Sequence, residues 1–261
     1  MSFESLTGKH VVILGLANER SIAWGISQKL ASVGAKLVFT YVNEAIERRV
    51  RPLADTIPGS LVVKCDVASD ESIDSAFAAV AESAGGAGIA AVVHSVAYAE
   101  QSDLKNPFVE TSRSGFHTAL DVSAYSLIAV AKRAVPLFKL NGGGSIITLS
   151  YLGADRVVAN YNVMGVAKAA LESAVRYLAA DLGVAGIRVN AISAGPIKTL
   201  AAAGIPHFKE LLSSFAERAP LKRNTTQEDV AGTALYLLSE LSSGVTGETI
   251  YVDSGFNILG L

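Results

Sequence analysis

The 261-residue chain is half hydrophobic and only 18% charged. That balance excludes a disordered segment and supports one large α/β core without covalent staples. Its 22 Lys and Arg against 24 Asp and Glu leave a net charge of -2, which excludes a broad electrostatic hold on nucleic acid. Cys65 is the single cysteine, so neither a disulfide framework nor a cysteine metal cluster is expected. His10, His94, His117 and His207 lack metal-ligand spacing, and no metal is expected from them either. The opening MSFESLTGKH lacks the basic-then-apolar layout of a signal peptide. The most apolar stretch, 84–99, is broken by glycines and by His94, and it falls short of a membrane span. A soluble cytoplasmic protein without membrane contact is the expectation.

In chain order, apolar runs rich in Val and Ile occupy 10–15, 36–41, 60–65, 89–95, 144–150 and 187–193, with ETIYVDSG near the end. Most are almost continuously apolar, as strands covered on both faces of a parallel sheet must be. Amphipathic stretches at 21–34, 71–84 and 161–183 predict helices, with Gly34 and Gly183 placed as C-caps. The alternation predicts a single-domain α/β chain over 1–261, a Rossmann-like doubly wound parallel sheet. Residues 194–218 break the rhythm after the sixth strand, with prolines at 196 and 206 and a helical tail. That edge of an open α/β sheet is where ligands bind, so this excursion is expected to be a substrate lid.

The first strand runs into Gly15-Leu16-Ala17-Asn18-Glu19-Arg20-Ser21-Ile22. A glycine-bearing turn before a helix N-terminus lets the backbone approach a pyrophosphate, although the spacing is not the common G-x-G-x-x-G. The second strand ends in Thr40-Tyr41-Val42-Asn43, with neither the acid that binds the ribose hydroxyls of NAD nor the arginine that accepts the 2′-phosphate of NADP. Glu44, Arg48 and Arg49 read as the solvated face of the next helix. Asp66 closes the third strand, either as an adenine partner alongside Val67 or as the N-cap of the following helix. Tyr161 and Lys168 are seven residues apart, nearly two helical turns, and so share one stripe with Met164 between them. A phenol there can donate a proton, and a nearby ammonium would make it a better donor. The lysine can bridge two ribose hydroxyls.

These pieces resemble the short-chain dehydrogenase/reductase superfamily and, within it, the bacterial enoyl-acyl-carrier-protein reductases. The resemblance runs end to end through GLANERSIAWGI (15–26), CDV (65–67), HSVAYA (94–99), YNVMGVAK (161–168), RVNAISAGPIKTL (188–200) and VDSGF (252–256). Its most specific element is a Tyr-x6-Lys helix with a second tyrosine, Tyr151, ten residues upstream. Ordinary superfamily members reduce carbonyls with Tyr-x3-Lys and a serine about thirteen residues before that tyrosine. Here those two positions hold Met164 and Tyr151.

The resemblance implies an NADH-dependent reductase of the trans-2 double bond of an enoyl thioester in fatty-acid synthesis. Tyr161 would bond the thioester oxygen, Tyr151 would line the acyl pocket, and Lys168 would hold the nicotinamide ribose. Gly15, Ser21 and Ile22 would sit on the pyrophosphate and ribose, Val42 near the adenosine ribose, Asp66 and Val67 around the adenine, and Val96 beside the other ribose. Ile197, Lys198, Thr199, Leu200 and Ala201 would close over the nicotinamide. Ala99, Met164, Ile205 and Phe208 would complete the acyl pocket. NADH is expected over NADPH because no cation stands at Val42 or Asn43. The substrate handle would be acyl carrier protein, with coenzyme A as the other option. A homotetramer is implied too, and the apolar tail TIYVDSGFNILGL suits a subunit contact. The alternatives are a carbonyl reductase of the same fold and a non-catalytic dinucleotide sensor.

Overall fold

The computed structural model describes residues 3–199 and 208–260, with backbone only at 3–4 and 208–211. Seven strands form one sheet: β1 (His10–Leu14), β2 (Lys36–Tyr41), β3 (Leu61–Lys64), β4 (Ala91–His94), β5 (Gly144–Ser150), β6 (Ile187–Ala194) and β7 (Thr249–Val252). Every neighbouring pair is parallel, and the order is β3-β2-β1-β4-β5-β6-β7. All seven predicted strands are present. The order reverses between β1 and β4, which opens a crevice at their carboxyl ends.

Alternation along the strands divides the interior in two. Val11, Ile13, Val93, Ile147 and Ile192 face one core with α1 (Ile22–Ser32), α2 (Glu44–Ala54) and α9 (Gln227–Leu238). Val12, Leu14, Val92, Ile146 and Val189 face the other with α3 (Asp70–Ala84), α6 (Ser126–Asn141) and α7 (Asn162–Leu182). Strands buried on both faces explain the unbroken apolar runs. Between β4 and β5 the chain adds α4 (Gln101–Lys105) and α5 (Arg113–Leu120), which joins α6 through a π-turn at Asp121–Tyr125. The segment after β6 includes α8 (Phe208–Arg218). No helix among the described residues is long and apolar enough to cross a membrane.

Asp66 does not cap α3; Ser69 does, its hydroxyl accepting from the Ser72 amide, while the Asp66 carboxylate folds onto the Ala68 amide at 3.0 Å. Gly183 is the C-cap of α7, as expected, though in the right-handed region with φ -57°. The chain continues through a 3-10 turn, Gly183–Ala185, and Gly186 takes the left-handed cap at φ 69°. Gly34 stands as predicted, just past α1 with φ 82°.

The second glycine of the first motif, Gly25, serves packing. A β-carbon there would lie 2.8 Å from Gln227 Cβ, where α1 crosses α9. Gly25→Ala is therefore expected to force the two helices apart and lower stability by about 1–3 kcal/mol, read as a drop in thermal midpoint of several degrees. An unchanged midpoint would show that this crossing has slack.

Candidate active site

The crevice is lined first by the turn after β1. Gly15 has φ +89°, and a β-carbon on it would lie 2.0 Å from the Ser95 carbonyl oxygen. Only glycine lets the loops after β1 and β4 meet this closely. Ser21 stands at the N-terminus of α1, but its hydroxyl makes no cap bond to that helix. It accepts instead from the amides of Ala17 and Asn18, each at 3.1 Å, so the side chain shapes the turn. The first turn of α1 adds N–H groups without intrahelical partners, a natural anion cradle. A dinucleotide pyrophosphate fits this arrangement of bare glycine, ordered turn and helix terminus.

Further along the sheet edge, Val42 is 41% exposed beyond β2, and Asn43 caps α2 by accepting from the Ile46 amide. Arg48 faces Glu44 at 3.7 Å on the exposed side of α2, as the solvated-face reading expected. Asp66 and Val67 follow β3, and Val96 follows β4, with both valines packed against the second core. Ile197 packs on the first core, Lys198 is exposed and Thr199 half-buried. Leu200, Ala201 and Ile205, and the side chain of Phe208, lie outside the described residues.

The chemical end of the crevice is built by β5 and α7. Asn160 and Asn162 both adopt positive φ, 62° and 40°, a conformation asparagine tolerates. They turn Tyr161 inward at the entrance to α7. Asn162 then donates to the carbonyls of Leu104 and Asn106, at 3.1 and 2.8 Å, which ties this entrance to α4. The ring of Tyr161 meets Tyr151 edge to face, centroids 4.9 Å apart at 66°. Ala99, Met164 and Tyr161 share one apolar cluster with Phe116 and Leu120, so these predicted pocket residues do converge. Met164 is 7% exposed and has no hydroxyl to offer. Lys168 is buried and donates from Nζ to the Leu149 carbonyl at 2.6 Å.

Electrostatics follow from burial. Desolvation pushes the Tyr151 phenol up to about 12. Tyr161 is raised further, by desolvation first and by Tyr151 second. Burial sets the direction for both rings, which are neutral donors. Burial brings Lys168 down to about 8, partly opposed by the charge of Glu172. His94 is fully buried between Thr148 Oγ1 at 3.0 Å and Ser126 Oγ at 2.8 Å. Burial, then the charge of Lys168, push it down to about 3. It is a neutral packing histidine, as expected.

Several contributors escaped the sequence reading. A β-carbon on Gly153 would lie 2.3 Å from Tyr161 Cδ1, and one on Gly165 would lie 2.7 Å from the Gly153 carbonyl oxygen. Both glycines make room for the phenol. Ser123, in the π-turn, grips the backbone of Tyr98 through its amide at 2.9 Å and its carbonyl at 3.1 Å, which steadies the loop carrying Ala99. Only Gly165 lies inside one of the quoted motifs, and nothing in the sequence marks Gly153 or Ser123.

Comparison with known proteins places this geometry. A family model described as enoyl-(acyl carrier protein) reductase matches residues 15–257. An enoyl-[acyl-carrier-protein] reductase [NADH] FabI of Bacillus cereus is 56% identical over 98% of this chain and 100% of its own. The Bacillus subtilis FabI is 50% identical over 97% of this chain and 98% of its own. Among solved structures, the Bacillus cereus enoyl-acyl carrier protein reductase with NADP+ and indole naphthyridinone superposes with a TM-score of 0.95, at 56% identity, over 98% of this chain and 99% of that one. An Anaplasma phagocytophilum reductase in complex with NAD gives 0.93 at 49% identity, over 98% and 96%. With the paired tyrosines and the buried lysine in the places the motif requires, the chain belongs to the enoyl-acyl-carrier-protein reductase family.

Proposed function

We propose that the chain is an NADH-dependent enoyl-acyl-carrier-protein reductase, saturating the trans-2 double bond of an enoyl thioester in fatty-acid synthesis. The observation that carries this reading is the half-buried Tyr151–Tyr161 pair, with Tyr161 seven residues before the buried Lys168 and Met164 where a carbonyl reductase needs a phenol. When bound, NADH supplies the hydride that adds to the β-carbon. Gly15, Ser21 and Ile22 hold its pyrophosphate end, Asp66 and Val67 the adenine, Val42 and Val96 the riboses, and Lys168 the nicotinamide ribose. The stretch from Ile197 to Ala201 covers the nicotinamide, and 194–218 serves as the lid.

Charge develops on the thioester oxygen as the double bond is reduced. The Tyr161 hydroxyl donates to that oxygen and holds its own proton, because burial disfavours the phenolate. Tyr151 packs edge-on against the Tyr161 ring and lines the acyl pocket with Ala99, Met164, Ile205 and Phe208. The lining is apolar and suits a hydrocarbon chain. Acyl carrier protein is the substrate handle, as the names of the relatives suggest.

The enzyme works in the cytoplasm as a homotetramer. Supporting the assembly, β7 is the edge strand of the sheet, and Ile258 just beyond it is 74% exposed, as a surface awaiting a second subunit would be. Light scattering should give the mass of four chains, and a monomer would remove this part of the reading.

Tyr161→Phe should leave NADH affinity intact and slow turnover of crotonyl thioester by about 10²- to 10³-fold, the usual loss for one oxyanion donor. Gly153→Ala should slow it in the same direction by displacing the ring. Full turnover in Tyr161→Phe, with Tyr151→Phe inactive, would reverse the two roles. A steady-state comparison of the cofactors should give a higher kcat/KM with NADH than with NADPH, because nothing at Val42 or Asn43 neutralises a 2′-phosphate. The opposite ranking would refute that reading of the β2 edge.

A further inference from the structure

Three consecutive positions at the end of β5 each engage the site. The Leu149 carbonyl accepts from Lys168 Nζ, the Ser150 hydroxyl donates to Glu172 Oε1, and the Tyr151 ring meets Tyr161. The roles proposed for Lys168, Tyr151 and Tyr161 account for the first and third. Glu172 has no part in them. It lies one helical turn beyond Lys168, on the same face of α7, and it is half-buried. A carboxyl that gives up much of its hydration needs a compensating partner. The Ser150 hydroxyl supplies one, and it pins the carboxyl to the strand that also receives the lysine.

From this geometry we propose that Glu172 is a positioning residue for Lys168: anchored one turn further along α7 by Ser150, its carboxylate keeps the ammonium charged while the Leu149 carbonyl directs it. The inference rests on the assignment of Lys168 to that ribose. Burial raises the Glu172 carboxyl above its ordinary value, and the Ser150 hydroxyl, Arg176 and Lys168 pull the other way toward the carboxylate. Asp155, beyond β5, opposes it. From β7, Tyr251 feels Asp155, Glu172 and Asp253, with Arg156 opposing them. From β4, His94 is neutral and adds no competing charge. Glu172 is thus the charge that favours the ammonium against the burial that brings Lys168 to about 8.

The sign of the effect follows. Ammonium is present below that value and lost above it, so removing the carboxylate must move the loss to lower pH. A downward move of one unit would leave about a tenth of the lysines charged at pH 8 instead of half, which weakens binding about fivefold there. The test is the Kd of NADH, titrated by fluorescence from pH 6 to 10 on the whole protein. Glu172→Gln keeps the shape and the bond from Ser150 and removes only the charge. Its binding should fall off at a pH lower by about half a unit or more, with near-normal affinity at pH 6. An unchanged midpoint, or uniform weakening across the range, would overturn the proposal and leave Glu172 a packing residue.

Glu172→Asp retains the charge and should retain the wild-type midpoint; a shift matching that of Glu172→Gln would also overturn it. Should Glu172→Gln not fold, Ser150→Ala frees the carboxylate from its anchor, and an unchanged profile in that variant would count against the positioning role. Lys168→Ala separates the two readings. It should bind NADH weakly and with a flat profile. If it kept wild-type affinity and pH dependence, the assignment of Lys168 itself would fail, whatever Glu172 does.

Discussion

Everything at the carboxyl edge of the sheet depends on the absence of a side chain at Gly15. Its Cα carries a positive φ and approaches the Ser95 carbonyl so closely that a methyl group would overlap it. Strands β1 and β4 are sequence-distant neighbours, joined through the register Leu14 with His94. The close pass holds their two loops together where the strand order reverses. The turn from Gly15 to Ser21 and the loop from Ser95 to Ala99 are therefore two walls of one crevice. Ser21 stiffens the first wall and Ser123 the second. Preorganised backbone costs less ordering when a ligand arrives.

Burial then sets the character of the chemical end. A fully hydrated tyrosine and lysine would differ little in pKa. In this interior, desolvation drives them apart, raising both phenols and lowering the lysine. The result is two neutral hydroxyl donors beside a cation that remains charged near neutral pH. Neutral His94, held by two hydroxyl groups, fills the space next to that cation without adding repulsion. A second buried positive charge there would carry a heavy penalty.

Much of this was legible in the sequence because it rests on periodicity. Strands buried on both faces write themselves as continuous Val and Ile runs, and the Tyr161–Lys168 stripe follows from helical geometry alone. Local competition was harder to read. Asp66 and Ser69 are both good N-caps, and which of them serves is decided by where β3 releases the chain. Gly183 caps α7 with right-handed backbone, and only the 3-10 turn that follows reaches a left-handed stop, at Gly186. Hardest were partnerships across the fold. Nothing in the spacing of Gly153 and Gly165 announces that a phenol ring lies against them, and Glu172 looks like any polar helix residue until β5 brings Ser150 beside it.

The direction of the Tyr161 shift also bears on which reaction the site suits. Reducing a ketone ends with a proton on oxygen, so its donor gains from an acidified phenol that a neighbouring cation helps to ionise. Reducing a conjugated thioester ends with the new proton on carbon. Its oxygen carries charge only in passing and needs a hydrogen bond that strengthens as the charge grows. A half-buried phenol whose ionisation burial disfavours, such as Tyr161, suits that bond. The departures from the common pattern therefore act together. Met164 withholds a hydroxyl, Tyr151 fills the place of the usual serine and meets the Tyr161 ring edge to face, and Ala99, Phe116 and Leu120 join Met164 and Tyr161 in one apolar cluster.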